Sequence, residues 1–500
     1  MPDMNPPGPA NRIAVIDVGS NSLRLVVFES LGTTLVPLLN EKVTGALGRN
    51  IATTGKLNPE GVTLALPNLQ RFVALARALK VDHLAIIATS AVRDASDGGK
   101  FARDAERLCG IPVQIIPGAE EARLSASGVL AGMRRLDGIV GDLGGGSVEL
   151  IPVNSAAREQ IGTGVSLPIG ALRLAELGDN RRAVLAAIER AIDGVGLLRR
   201  CAGKSLYLVG GAWRALARLH MEHDNYPLHI IHEYTIPRRA AEAFLGIISG
   251  QSRRSLDRVT GISRKRLELV PLAALILARL IAAAKPEHVV FSAFGLREGY
   301  AYGLLPNDQG HDALIAACEG IAATQSRWRD GERLQRWIAP AFPGLKEDSR
   351  RLHGAVCWLS DFAWSEHPDY RAEHAFRRSL SMPVAQLSHP ERVFIARALH
   401  ARYGGNIDDP VTMPTRPLID DAAANEARAL GLALRLAYTL CGGALDLLDQ
   451  VRLTRRHNTV TLDMPDGHLF GGEAVQRRLE ALNRVLGLPS PSARRTPALA

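Results

Sequence analysis

Two short stretches of this chain carry the same chemical plan. Ile13 to Val27 reads IAVIDVGSNSLRLVV, and Ile139 to Val153 reads IVGDLGGGSVELIPV. In each, an apolar run ends in an aspartate, Asp17 or Asp142, passes through a small polar turn and resumes as a second apolar run. Setting the aspartates together also pairs Gly19 with Gly144, Ser22 with Ser147 and Leu25 with Leu150. A glycine turn lets backbone N–H groups approach an anion with no Cβ in the way, and Ser or Asn adds side-chain donors. Gly19, Ser20, Asn21 and Ser22, with Gly144, Gly145, Gly146 and Ser147, are therefore candidate phosphate-binding residues. Two such turns facing each other would hold successive phosphates of one substrate, whereas either turn alone is equally a plain hairpin.

Asp17 and Asp142 fall where each first strand meets its turn. A carboxylate beside phosphate-binding amides needs a cation or water between, and magnesium, a hard ion that keeps several waters, suits that place. Capping of its own turn is the alternative role for either aspartate. Strand alternation puts Ser147 and Glu149 on one face, which adds Glu149 to the candidate metal or water ligands. Gly118-Ala119-Glu120-Glu121 opens a helix. Its acids either serve the helix dipole or supply a general base that directs water onto phosphorus. Arg93, in Thr89-Ser90-Ala91-Val92-Arg93-Asp94, is either a phosphate clamp or half of a surface pair with Asp94.

Other groupings are weaker. His220, His223, His229 and His232 crowd one region, but no ligand spacing supports a metal site. Arg253, Arg254, Arg258, Arg264, Lys265 and Arg266 read either as a solvated helix face or as a basic track for a long polyanion. Five scattered cysteines with no CxxC pair fit a reducing compartment and no structural zinc. Hydrophobic residues at 46%, charged residues at 22% and a net charge of +9 describe a globular chain, excluding a disordered or disulfide-scaffold protein. The most apolar stretch, Pro271 to Ala284, is short and contains Arg279, so it reads as a buried helix. With no apolar segment in the first residues, the expected location is the cytoplasm, with no membrane and no specific nucleic acid as partner.

The elements that must position these residues follow from periodicity. Asn58-Pro59-Glu60 reads as cap, first helical position and first-turn acid of a helix running to about Lys80. A strand (83–88), the loop TSAVRDAS, a helix to about Leu108 and a strand (112–116) follow. The second copy continues with a strand (206–209), a helix (212–220), a strand (289–291) and the loop SAFGLREG. The expected fold class is α/β, two similar lobes around a cleft, followed by a mostly helical C-terminal region. The expected segments are a tail (1–11), lobe I (12–134), lobe II (135–306), a helical domain (307–410), a small α+β segment (411–488) and a frayed tail (489–500). Within the last of the folded parts, a helix (430–448), a hairpin (451–462) with a turn at Pro465-Asp466-Gly467, and a helix (473–486) are expected.

Six ordered segments carry a family resemblance: IDVGSNSLRL, TSAVRDA, GAEEARL, GDLGGGSVEL, GGAWRALA and FGLREG. Over about the first 300 residues the chain resembles the exopolyphosphatase/guanosine pentaphosphate phosphatase (Ppx/GppA) family. The resemblance implies two actin-like (ribonuclease-H-like) lobes, magnesium, and hydrolytic release of terminal phosphate from inorganic polyphosphate or from guanosine pentaphosphate. It places the catalytic glutamate on Glu121, with Glu120 the second choice, and the catalytic-loop arginine on Arg93. It places the phosphate loops on 19–22 and 144–147, and the acidic metal side on Asp142 and Glu149, with Asp17 their counterpart in lobe I. A homodimer is common in that family. A kinase on the same scaffold, or a non-catalytic sensor of polyphosphate or guanosine tetraphosphate, remains open on these residues. The helical domain resembles an HD phosphohydrolase domain, but Ser360 precedes Asp361 where the adjacent His and Asp would stand, and His353, His367 and His374 do not restore the pair.

Overall fold

The computed structural model describes residues 12–31, 34–178, 180–250, 268–305, 312–456, 458–464 and 472–489. The chain forms two compact units, Met1–Asp308 and Gln309–Ala500.

The first unit holds two sheets built on one plan. In the first, β1 (Arg12–Val18) pairs antiparallel with β2 (Leu23–Leu31), which pairs antiparallel with β3 (Thr34–Val43). On its other edge β1 runs parallel to β4 (His83–Ala88), and β4 to β5 (Val113–Ile115). The second sheet repeats this with β6 (Asp137–Leu143), β7 (Val148–Asn154) and β8 (Val165–Leu167) antiparallel. Next to β6 lie the parallel strands β9 (Ser205–Val209) and β11 (His288–Phe291), and β10 (Tyr234–Pro237) adds an antiparallel edge beyond β11. The central strand β1 is apolar from Ile13 to Ile16 and again at Val18 because both its faces are covered: Ala14, Ile16 and Val18 enter one core, and Ile13 and Val15 another.

The duplicated hairpins share strand register and turn bonding. Asp17 stands opposite Arg24 and Asp142 opposite Glu149. Each turn closes with the same backbone bond, Gly19 N to Ser22 O at 3.1 Å and Gly144 N to Ser147 O at 3.0 Å. The two turns also abut. A Cβ on Gly145 would lie 2.8 Å from the Ser20 Cβ, and one on Gly146 would lie 2.9 Å from the Ser90 Oγ. Glycine is needed there for contact between loops and not for an unusual backbone angle.

Two segments expected as loops contain short helices. Ser90–Asp94 is one, and Leu296–Tyr302 is the other, its start tied by the Glu298 carboxylate accepting from the Gly295 amide at 2.8 Å. The helix at 59–78 has Pro59 in its first turn as expected, but Asn58 does not cap it: its Nδ2 donates to the Ala46 carbonyl at 3.2 Å. The basic stretch 253–266 lies outside the described residues, as do the tails 1–11 and 490–500.

In the second unit the helices Ala313–Gln325, Glu347–Leu359, His389–Arg402 and Asp421–Cys441 share one core with a hairpin, β12 (Arg452–Arg456) and β13 (Thr459–Asp463), and with the helix Glu473–Val485. The helix expected over 430–448 starts earlier, capped by the Asp420 carboxylate on Ala423 N, and stops at Gly442, whose φ is 59°. The hairpin turns at Asn458, with φ of 63°, while Pro465-Asp466-Gly467 is outside the described residues.

Candidate functional site

Between the paired hairpins of the first unit lies a cavity of about 270 Å³. Its wall includes Asp17, Gly19, Ser20, Asn21 and Ser22 from one turn and Asp142, Gly144 and Gly145 from the other, with Glu121 between them. The helix Gly118–Gly132 sets Glu121 there. It starts directly after Pro117, so Glu121 in its first turn points into the cleft while the helix body packs between the lobes. Glu120 faces the other way and is held by Arg123 in a 2.6 Å ion pair. The two neighbouring glutamates are thus separated by geometry: only Glu121 belongs to the wall.

Glu121 is 7% exposed. Burial, then the nearby Glu149 carboxylate, push its acid well above the usual range, while Arg93 opposes them. The Arg93 Nη1 donates to Glu121 Oε2 at 3.0 Å and to the Ile116 carbonyl at 2.9 Å. Its Nε lies 3.5 Å from Asp94, which in turn receives Arg173 from the other lobe at 2.6 Å. Arg93 is not part of the cavity wall. Arg93 therefore pairs with Asp94, one of the two roles the sequence offered it, and with Glu121 as well.

Asp142 accepts a hydrogen bond from Ser125 Oγ at 2.5 Å, and burial raises its acid. Asp17 is raised too, chiefly by burial, against the pull of Arg297, whose Nε is 3.6 Å away. Glu149, 1% exposed, is shut off behind the wall; burial and then Asp142 raise it to about 7. Its Oε1 accepts from Ser166 Oγ at 2.8 Å, and the Ser147 hydroxyl is close enough to ease its burial; among the described residues neither its Oε2 nor the Ser147 Oγ makes a well-formed hydrogen bond. Ser20 reaches the wall, yet its hydroxyl is bonded to Ser90 Oγ at 2.9 Å. From this loop, backbone amides and the Asn21 and Ser22 side chains are what face a ligand. Gly146 and Ser147 lie behind the wall.

No trio of His, Cys, Asp or Glu side chains among the described residues forms a ready metal cage. Magnesium does not require one, since it binds through one or two carboxylates, waters and substrate phosphates. Asp17 and Asp142, hard oxygen donors raised by burial on the cavity wall, fit such an ion. The histidines do not form a site: His220 Nδ1 bonds the Tyr234 hydroxyl at 2.7 Å and His232 Nε2 the Gly132 carbonyl at 2.8 Å. All five cysteines are free and buried.

The cations on the wall are Arg24, Lys42, Arg214, Arg218 and Arg297, none of which the sequence reading singled out. Arg24, Arg214 and Arg297 lie inside motifs already noted for their glycines. Arg218 follows Arg214 by one helical turn in the helix Gly211–His223, which puts both on one face. Arg297 is 8% exposed, and its Nε and Nη1 lack a hydrogen-bond acceptor among the described residues. Burial, then Arg297 and Arg214, lower Arg24 to about 10. Cations that repel one another in a walled cleft create a strong pull for a polyanion.

Two ribonuclease-H-like lobes with a cleft lined by glycine turns, acids and arginines define a phosphoryl-chemistry fold, joined here to a helical C-terminal unit. Residues 26–308 match the Ppx/GppA phosphatase family and residues 314–490 the family described as exopolyphosphatase, C-terminal. The chain belongs to the Ppx/GppA phosphatase family. It is 26% identical over 443 residues to Retrograde regulation protein 2 of Saccharomyces cerevisiae, covering 80% of this chain and 74% of that protein. Among solved structures, an exopolyphosphatase-like protein matches at 25% identity with a TM-score of 0.54, over 59% of this chain and 98% of the other. An exopolyphosphatase from Cytophaga hutchinsonii shares the fold at 24% identity and a TM-score of 0.54, over 59% of this chain and 98% of its own. A Ppx/GppA member from Aquifex aeolicus does so at 21% and 0.52, over 61% and 100%. No described helix is long and apolar enough to cross a membrane.

Proposed function

We propose that this protein is a phosphoanhydride hydrolase that releases terminal orthophosphate from inorganic polyphosphate, with guanosine pentaphosphate a second substrate of the same bond type. The observation that carries the proposal is Glu121: a buried carboxylate on the wall of a cleft otherwise built to hold phosphates, kept in place by Arg93. The paired turns supply amides for successive phosphates, and Arg297 and Arg24 supply charge. Glu121 takes the proton of a water as its oxygen bonds to the terminal phosphorus, and the bridging oxygen leaves with the shortened chain. General-base work of this kind accounts for about 10²–10⁴-fold, electrostatic positioning for most of the remainder. Magnesium held at Asp142 and Asp17 would offset phosphate charge.

The match of the second unit to an exopolyphosphatase C-terminal family favours polyphosphate over a nucleotide. A second reading, a non-catalytic sensor of polyphosphate or guanosine tetraphosphate, draws support from the relative named as a retrograde regulation protein. Phosphate release from long polyphosphate and from guanosine pentaphosphate, side by side, with and without magnesium and with no acceptor present, separates these. Release supports the hydrolase. Binding without release favours the sensor, and transfer that needs an acceptor favours a kinase.

A further inference from the structure

We propose that Ser125 is a positioning residue for Asp142: its hydroxyl holds one carboxylate oxygen from behind the cavity wall and leaves the other to a divalent cation in the cleft. The inference rests on the magnesium proposed above and deepens it by naming what sets the ligand in place.

Ser125 stands four residues after Glu121 on the helix Gly118–Gly132, one turn further along the same face. It is 0% exposed and is not part of the cavity wall, whereas Asp142 is. A helical serine commonly returns its hydroxyl to the carbonyl four residues back. Ser127 does so, onto the Arg123 carbonyl at 3.0 Å. Ser125 instead crosses to β6 and donates to Asp142 Oδ2 at 2.5 Å, a length that a hydroxyl takes on an ionised carboxylate. That bond occupies Oδ2 and leaves Oδ1 as the oxygen for a ligand.

The helix is itself fixed. A Cβ on Gly128 would strike the Gly295 carbonyl, and one on Gly299 would strike the Leu124 carbonyl, so Gly118–Gly132 and Leu296–Tyr302 meet at backbone contact. One rigid element thus presents Glu121 to the cleft and, a turn later, holds Asp142.

Asp17 matches Asp142 in the repeat but not in what stands beside it. Its Oδ2 lies 3.6 Å from Arg297 Nε, so a cation of the protein answers part of its charge. A hydroxyl orients a carboxylate without neutralising it, which suits Asp142 to a hard cation.

The test uses Mn²⁺ as the probe, its free ion counted by electron paramagnetic resonance, with the full-length protein and methylenediphosphonate as a phosphate pair that is not hydrolysed. Ser125→Ala should weaken Mn²⁺ binding about tenfold, the usual consequence of losing the partner behind a metal ligand. Ser127→Ala, which removes a hydroxyl bonded only to its own helix, should leave it unchanged. Methylenediphosphonate binding without metal, measured by calorimetry, should be the same in wild type and Ser125→Ala, because a general loosening of the wall would weaken it too. Unchanged Mn²⁺ affinity in Ser125→Ala, an equal loss in Ser127→Ala, a parallel loss of diphosphonate binding, or no Mn²⁺ binding by the wild type would each overturn the inference. None of these readings involves turnover, so the hydrolase proposal fails on phosphate release and this one on metal affinity.

Discussion

Arg93 Nη1 sits 3.0 Å from Glu121 Oε2 and reaches it from behind the cavity wall, with Asp94 and then Arg173 of the opposite lobe beyond it. A carboxylate pushed up by burial and by Glu149 is brought back toward ionisation by this one guanidinium. The proposed base must be ionised to act, so on that proposal this contact sets the pH at which Glu121 can take a proton.

Arg93→Gln removes the cation that holds the Glu121 acid down. Its acid then rises further, and the acidic limb of the pH–rate profile should move to higher pH by about one unit or more. Substrate KM should change less than kcat, because Arg93 is not part of the cavity wall. A limb that stays put, with KM raised instead, would make Arg93 a phosphate clamp after all.

Glu149 gives a stability prediction with a defined sign. Its folded value is about 7 against an ordinary 4.5, so ionisation costs the folded state more than the unfolded one. The penalty is absent below about pH 4, grows as pH rises through this interval and is complete above about pH 7. Glu149→Gln should therefore stabilise the protein at pH 8, by up to about 3 kcal/mol, and give no gain near pH 4. Denaturant melts at the two pH values measure this, and an equal effect at both would contradict it.

Gly145→Ala puts a methyl 2.8 Å from Ser20 Cβ and 2.9 Å from Leu172 Cδ1. Overpacking of this kind costs about 1–3 kcal/mol. Ser20→Gly in the same chain should recover part of the loss, since it removes the atom struck. No recovery in the double variant would mean that the loops do not meet as described.

Much of this was legible in the sequence because the hairpin repeat is local: Asp17 and Asp142, their turns and the strands on either side are contiguous, and their duplication implies a shared cleft. Spacing alone could not tell Glu121 from Glu120, since helix phase decides which one faces inward, although the family resemblance pointed to Glu121. Arg297, Arg24 and Arg214 were present in the quoted motifs but come from strands and helices far apart in the chain, so their convergence is a property of the fold. Glu149 shows the reverse. Alternation grouped it with Ser147, and both lie behind the wall because depth within the sheet is something no alternation encodes.

Single-turnover phosphate release by Glu121→Gln on long polyphosphate, with substrate binding measured in parallel, tests the central claim most directly. The account predicts binding within a few-fold of wild type and a rate lower by about 10²–10⁴-fold. A variant that releases phosphate at the wild-type rate would contradict it.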